Sequence, residues 1–216
     1  MKAFRTFVVG GLLTAALAAS AQAETLANWT FETSVPSTAG PFAAEAGTFA
    51  GTSQASGLHA SGATVYSNPV GNGSVESFSS NNWNTDDYYQ FTTTTTGYQA
   101  ITIAWQQTRS GTGPATFDLE WSTDGTNFSV LTNNYNIDQV TWASGSPIGG
   151  SDFGPTAGPA SLDNQATIWF RMTSDSGASA AAGTNRIDNV IISGTLIPEP
   201  TTLALLAVGG LLIRRR

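Results

Sequence analysis

Ile101-Thr102-Ile103-Ala104-Trp105-Gln106 alternates apolar and polar side chains, and Phe117-Asp118-Leu119-Glu120-Trp121 repeats the pattern. Successive side chains of a strand point to opposite faces. Ile101, Ile103 and Trp105 therefore share one face, and Thr102, Ala104 and Gln106 the other. Ala166, Ile168, Phe170 and Met172 alternate in the same way with Thr167, Trp169 and Arg171. Turn chemistry separates these runs. Gly111-Thr112-Gly113-Pro114 lies between the first two, and Asp124-Gly125 follows the second, where it supplies the positive φ angles of a tight hairpin. The spacing predicts an antiparallel meander of three consecutive strands over residues 99–108, 115–122 and 127–131. Further strands are expected near 28–32, 63–66, 88–94 and 187–192. Residues 144–159, rich in Gly, Ser and Pro, read as a long loop.

About eight or more short strands with Gly, Ser and Asn in their connections imply an all-β fold, a two-sheet antiparallel sandwich with jelly-roll topology. The stretch 24–197 has the size of one domain with a real core. Charged residues are 11% of the chain and the formal net charge is −7. Within 24–197 the basic residues are Arg109, Arg171 and Arg186. An acidic surface repels phosphate backbones, which argues against nucleic acid as a partner. It suits divalent cations or neutral glycans. The absence of Cys rules out disulfides and thiolate metal sites.

The two ends read differently from the middle. Lys2 and Arg5 precede an apolar run over residues 7–18, and Ala21-Gln22-Ala23 forms an A-x-A cleavage site before Glu24. This is the layout of a cleavable secretory signal peptide, residues 1–23, whose apolar part is a short helix. At the other end, Pro198-Glu199-Pro200 precedes an apolar run and then Arg214-Arg215-Arg216. The prolines keep the chain extended. A helix over residues 201–213 would be about 20 Å long against a hydrocarbon core of about 30 Å. It is short for a transmembrane helix, and the terminal arginines would stay cytoplasmic.

A Pro-Glu-Pro motif, a short apolar helix and an Arg cluster resemble the PEP-CTERM sorting signal of Gram-negative bacteria, here residues 198–216. The resemblance implies that Pro198, Glu199 and Pro200 are recognised by exosortase, a membrane protease that removes the tail. It also implies transient anchoring in the inner membrane, then the cell surface or extracellular matrix, in company with exopolysaccharide. A tail that remains as a plain anchor is the alternative. Asn28-Trp29-Thr30-Phe31-Glu32 and Arg186-Ile187-Asp188-Asn189-Val190-Ile191-Ile192 resemble the first and last strands of carbohydrate-binding jelly-roll modules. That resemblance implies a structural calcium ion between Glu32 and Asp188. Two carboxylates brought side by side by the sandwich termini would repel unless a proton or a cation sits between them.

Within the domain, Trp83 and Tyr88 with Asp86 and Asp87 make a candidate glycan contact, because ring faces stack on sugars while carboxylates meet the hydroxyls. The expectation is that Trp83 presents a ring face to solvent. Trp142 is a weaker candidate of the same kind. Asp118 and Glu120, two apart on one strand, have a spacing that overlaps glycosidase carboxylates, but in–out alternation already explains them. His59 is the only histidine, so a Ser-His-Asp triad would rest on it alone. The resemblance of the tail implies a non-enzymatic exported surface or matrix protein associated with exopolysaccharide, and the cluster around Trp83 adds a candidate for glycan binding. A secreted polysaccharide-active enzyme, or a structural or adhesive protein without a sugar site, are the alternatives.

Overall fold

Alternation becomes twelve strands in the computed structural model, which describes residues 22–198. They are β1 (Ala23–Trp29), β2 (Phe42–Ala43), β3 (Gln54–Leu58), β4 (Tyr66–Ser67), β5 (Phe78–Ser80), β6 (Tyr88–Thr93), β7 (Tyr98–Arg109), β8 (Thr116–Ser122), β9 (Ser129–Asn136), β10 (Asp152–Ala157), β11 (Ile168–Ser174) and β12 (Asn185–Leu196). Gln22–Ile197 form one compact unit. The signal segment to Ala21, Glu199, Pro200 and the apolar tail lie outside the described residues. Among the described residues no helix is long and apolar enough to cross a membrane.

The strands form two antiparallel sheets. Sheet A runs β10-β7-β12-β5-β4, with β1 also paired to β12; sheet B runs β2-β3-β6-β11-β8-β9. From β5 to β8 the chain switches sheet at every strand, and β11 and β12 then insert between β6 and β8 and between β5 and β7. The resulting cores, β5-β12-β7-β10 and β6-β11-β8-β9, are a jelly roll. Tyr89, Phe91, Phe117, Leu119, Phe170 and Met172 from sheet B meet Ile101, Ile103, Ile187, Val190 and Ile192 from sheet A, all fully buried or nearly so. Each such side chain contributes about 1.5–3 kcal/mol on burial.

Three sequence expectations are corrected. The 99–131 meander does not form, because β7 belongs to sheet A while β8 and β9 pair in sheet B. Each of the first two runs has one apolar face, and those faces meet across the core instead of lying side by side. The opening strand runs earlier than 28–32, since Phe31 turns to φ 59° with its ring buried against Phe78. The 144–159 loop contains β10, an edge strand against β7 with a bulge between Phe153 and Thr156. An edge is where a proline such as Pro155 is tolerated.

Candidate functional site

The loop before β6 carries the expected glycan contacts, and the structure divides them. Trp83 is only 3% exposed. Its Nε1 donates to the carbonyl of Ser80 at 2.9 Å, and its ring meets His59, Tyr89 and Phe117 edge-on. It closes one end of the core, so the exposed ring face expected at Trp83 is absent. Asp87 is also buried, and its carboxylate accepts the backbone N–H groups of Ala60 and Asn84, each at 2.6 Å. Asp86 is exposed in the left-handed region, φ 70°. Tyr88 alone lies on an open sheet face. Trp142 is likewise buried, with Nε1 donating to Ser151 Oγ at 3.0 Å. The polar neighbours Asn82 and Asn84 mislead here. They face outward while the ring between them turns in.

Beneath Trp83 the structure assembles a serine, a histidine and an aspartate. His59 Nε2 lies 3.1 Å from Ser80 Oγ, and its Nδ1 lies 3.2 Å from Asp87 Oδ2. Ser80 is 1% exposed, and its hydroxyl also meets the Tyr89 hydroxyl, which donates to the Asn185 carbonyl at 2.9 Å. The Nδ1 contact has ion-pair distance without hydrogen-bond alignment. Burial holds His59 below its ordinary pKa, against the raising influence of Asp87 and of an Asn82 backbone hydrogen bond. A nucleophile must reach its substrate. Ser80 in this arrangement cannot, so the cluster is a buried polar tie between β5, β6 and β12.

Glu32 and Asp188 meet one loop. A bulge in β12 after Asp188 leaves both Ile187 and Asp188 buried. Asp188 Oδ2 accepts the Asn72 N–H at 2.9 Å and the Ser74 hydroxyl at 2.8 Å, and Oδ1 accepts the Asn189 N–H at 2.7 Å. Glu32 Oε1 accepts the N–H groups of Val75 and Glu76, at 3.0 and 2.7 Å. Glu45 fixes the segment carrying Glu32 by accepting the N–H groups of Glu32, Thr33 and Ser34. Burial raises the Glu45 pKa, but hydrogen bonds from Thr30, Thr33 and Ser34 outweigh it and hold the group below the usual carboxylate range. Burial pushes Asp188 up to about 6, partly offset by its hydrogen bonds and reinforced by the charge of Glu32.

The surroundings of Gly71 bear on the expected ion. A Cβ there would stand 2.1 Å from Ser74 Oγ, 2.2 Å from the Glu76 carbonyl oxygen and 2.3 Å from Asp188 Oδ2. Three oxygens thus crowd one glycine, on the loop that Glu32 also holds. The set holds one carboxylate, Asp188, with the Ser74 hydroxyl donating to it and to the Glu76 carbonyl, and calcium would need the Glu32 carboxylate as well. Among the described residues no group of three or more His, Cys, Asp or Glu could hold a metal. An ion here would therefore rest on Asp188 and Glu32, with hydroxyl and carbonyl oxygens completing its shell.

The outward face of sheet B gathers Tyr88, Asp118 and Glu120, which the sequence singles out, with residues it does not. Register aligns Tyr88 with Thr173, Gln90 with Arg171 and Thr92 with Trp169, and sets Asp118 and Glu120 on the far side of β11. All of these are half-buried. The Arg171 guanidinium lies between the rings of Tyr88, 4.0 Å away, and Phe128, 3.6 Å away, and its Nε donates to Gln90 Oε1 at 2.9 Å. Glu120 Oε2 accepts the Thr173 hydroxyl at 2.7 Å, and Asp118 Oδ1 accepts the Asn134 N–H at 2.7 Å. Where β6 ends and β11 begins, a cleft of about 310 Å³ is walled by Thr52, Thr92, Thr94, Thr96 and Thr167, among others. Alternation gave the outward direction of these side chains. The cross-strand register that aligns them could not be read from one run.

No protein-family model matches the chain, and no curated protein does. Solved structures share its outline. The K2 cleaved adhesin domain of Lys-gingipain is 14% identical, with 78% of this chain and 98% of that chain covered and a TM-score of 0.45. TmCBM61, solved in complex with β-1,4-galactotriose, is 9% identical over 65% of this chain and 87% of that one, with a TM-score of 0.36. The enzymatically active domain of bacteriophage CBA120 tailspike protein 4 is 14% identical over 67% of this chain and 19% of that one, with a TM-score of 0.36. At these identities and scores the likeness carries nothing further.

Proposed function

We propose that the chain is an exported, non-enzymatic protein of the cell surface or extracellular matrix whose β-sandwich associates with exopolysaccharide. The observation that carries the binding part is the outward face of sheet B. It combines aromatic rings, a guanidinium, amides and hydroxyls on a rigid open sheet. Such a mixture suits pyranose rings, which are apolar on one face and ringed with hydroxyls. The export part rests on the ends of the sequence: the signal segment before Glu24, and Pro198-Glu199-Pro200 followed by the apolar run and arginines. Exosortase-type processing at Pro198, Glu199 and Pro200 belongs to this reading, and so does a structural calcium ion at Glu32 and Asp188. The ion would neutralise the buried carboxylate and tie the segment after β1 to β12.

Two experiments test the reading. Glycan-array binding by residues 24–197 is expected to give saturable signals on hexose polysaccharides, and a blank array would refute the binding claim. Mass spectrometry of the protein exported by its native host is expected to lack residues 203–216. Recovery of Arg216 on the exported protein would refute processing.

A further inference from the structure

Of the arginines in the domain, two hold loops together. Arg109 donates to the carbonyls of Ile137, Ser110, Gly111 and Gly113, and Arg186 donates to that of Val70. Arg171 differs. Its Nε meets Gln90, while its terminal nitrogens have no acceptor and it forms no ion pair among the described residues. The Tyr88 and Phe128 rings hold the guanidinium flat, so its free N–H fork is ordered before any ligand arrives, which lowers the entropic cost of binding. Two strand positions away on β11 is Trp169. The four buried tryptophans, Trp29, Trp83, Trp105 and Trp142, all donate their indole N–H within the protein. Trp169 and Trp121 are half-buried, and neither indole N–H has an acceptor among the described residues; Trp169 is the one on β11 beside Arg171. The glycine turn after β8 packs against its indole, since a Cβ on Gly125 would stand 3.0 Å from Cε2 and Cζ2.

We infer that β6 and β11 form a linear subsite for an uncharged hexose polymer, running from Tyr88 past Arg171 and Trp169 into the threonine-walled cleft. This rests on the glycan-association reading above and names its site and ligand class. Outward residues on one strand recur about every 6.6–6.8 Å, so the three steps from Thr173 to Thr167 span roughly 20 Å, room for a run of pyranose rings. Arg171 offers donors, and Glu120, opposite it across β11, offers an acceptor oxygen that Thr173 leaves free. Donor and acceptor side by side match neighbouring sugar hydroxyls. Charge selects against acidic polymers. Asp118 and Glu120 both lie on β8 along the same side of Arg171, and the chain carries a formal net charge of −7.

The test is calorimetric titration of residues 24–197, a compact unit with its own core, with cellotetraose, galactotetraose and mannotetraose, and with tetragalacturonate as the acidic counterpart. At least one neutral tetraose is expected to bind, more tightly than the uronate. Arg171→Ala and Trp169→Ala should each weaken it tenfold or more. Arg171→Lys, which keeps the charge but loses the fork, should weaken it nearly as much as alanine does. Asn84→Ala, in the cleft at the other end of the sandwich, should leave it unchanged. Circular dichroism and unfolding midpoints screen each variant for folding. If Trp169→Ala fails to fold, Trp169→Phe replaces it, losing the indole donor alone. Neutral binding indifferent to Arg171 and Trp169, or tighter binding of the uronate, would overturn this inference while glycan association stands. Binding to no saccharide here or on the array would overturn both.

Discussion

Asp188 is fully buried, and its folded pKa is about 6 against an ordinary value of 3.8. A raised folded pKa means that the native state holds its proton more tightly than the unfolded chain. The stabilisation is fully present below pH 3.8 and is lost as pH rises through 6. The shift corresponds to about 3 kcal/mol of ionisation cost at neutral pH, of which about 2 kcal/mol accrues between pH 4 and pH 7. Asp188→Asn removes the titration. Its altered hydrogen bonds to Asn72, Ser74 and Asn189 add an offset that does not depend on pH. The informative quantity is therefore the stability of the variant minus that of the wild type, measured by urea unfolding in chelator. This difference should move by about 2 kcal/mol in favour of the variant between pH 4 and pH 7. With calcium at a hundred times its dissociation constant, the wild type should gain about 2.7 kcal/mol at pH 7 and the variant much less. A difference that stays flat with pH would refute the reasoning about the buried carboxylate. Indifference of both proteins to calcium would refute the ion.

Other perturbations follow from the same geometry. His59 is held below its ordinary pKa by burial, so its contribution is intact above pH 6.5 and is lost as pH falls. His59→Gln should flatten the acid limb of the stability–pH curve measured by thermal unfolding. Phe170→Ala in the centre of sheet B should cost about 3–5 kcal/mol in urea unfolding, because Phe170 is fully buried between β6 and β8. Gly71→Ala forces a methyl group among Ser74 Oγ, the Glu76 carbonyl and Asp188 Oδ2. It should cost about 3 kcal/mol or more in the same assay.

The strands that one run of residues could reveal were those with a large apolar side chain at every second position, such as β7, β8 and β11. β3 escaped notice because its inward residues are Ala55 and Gly57, which are small since Phe91 and Tyr89 beside them on β6 fill the core. A Cβ on Gly57 would stand 2.8 Å from the Tyr66 ring. β5 escaped because it is only Phe78-Ser79-Ser80, with the two serine hydroxyls spent on Asn185, His59 and Tyr89. The Asp124-Gly125 signal did mark the β8–β9 connection. The turn is longer than a two-residue hairpin, because Asp124 Oδ1 accepts the N–H groups of Thr126 and Asn127. The sequence placed Glu32 and Asp188 near each other at the two ends of the domain; the 72–76 loop that both of them hold was not legible in it. The inward turn of Trp83 was not, because nothing in Asn82-Trp83-Asn84 says that Ser80 would accept the indole proton.

The central claim is that the outward face of sheet B meets sugar, and the indoles of Trp169, Trp29, Trp83, Trp105 and Trp142 are its natural reporters. Amide and indole resonances of isotope-labelled residues 24–197, followed during titration with a neutral polysaccharide that binds, test the claim most directly. The account predicts that the Trp169 indole signal shifts along with the backbone signals of Gln90, Thr92 and Arg171. The indoles of Trp29, Trp83, Trp105 and Trp142, whose protons are already spent inside the protein, should stay still. Shifts confined to Asn82, Asn84 and residues 178–181 at the other end of the sandwich, with Trp169 unmoved, would contradict it.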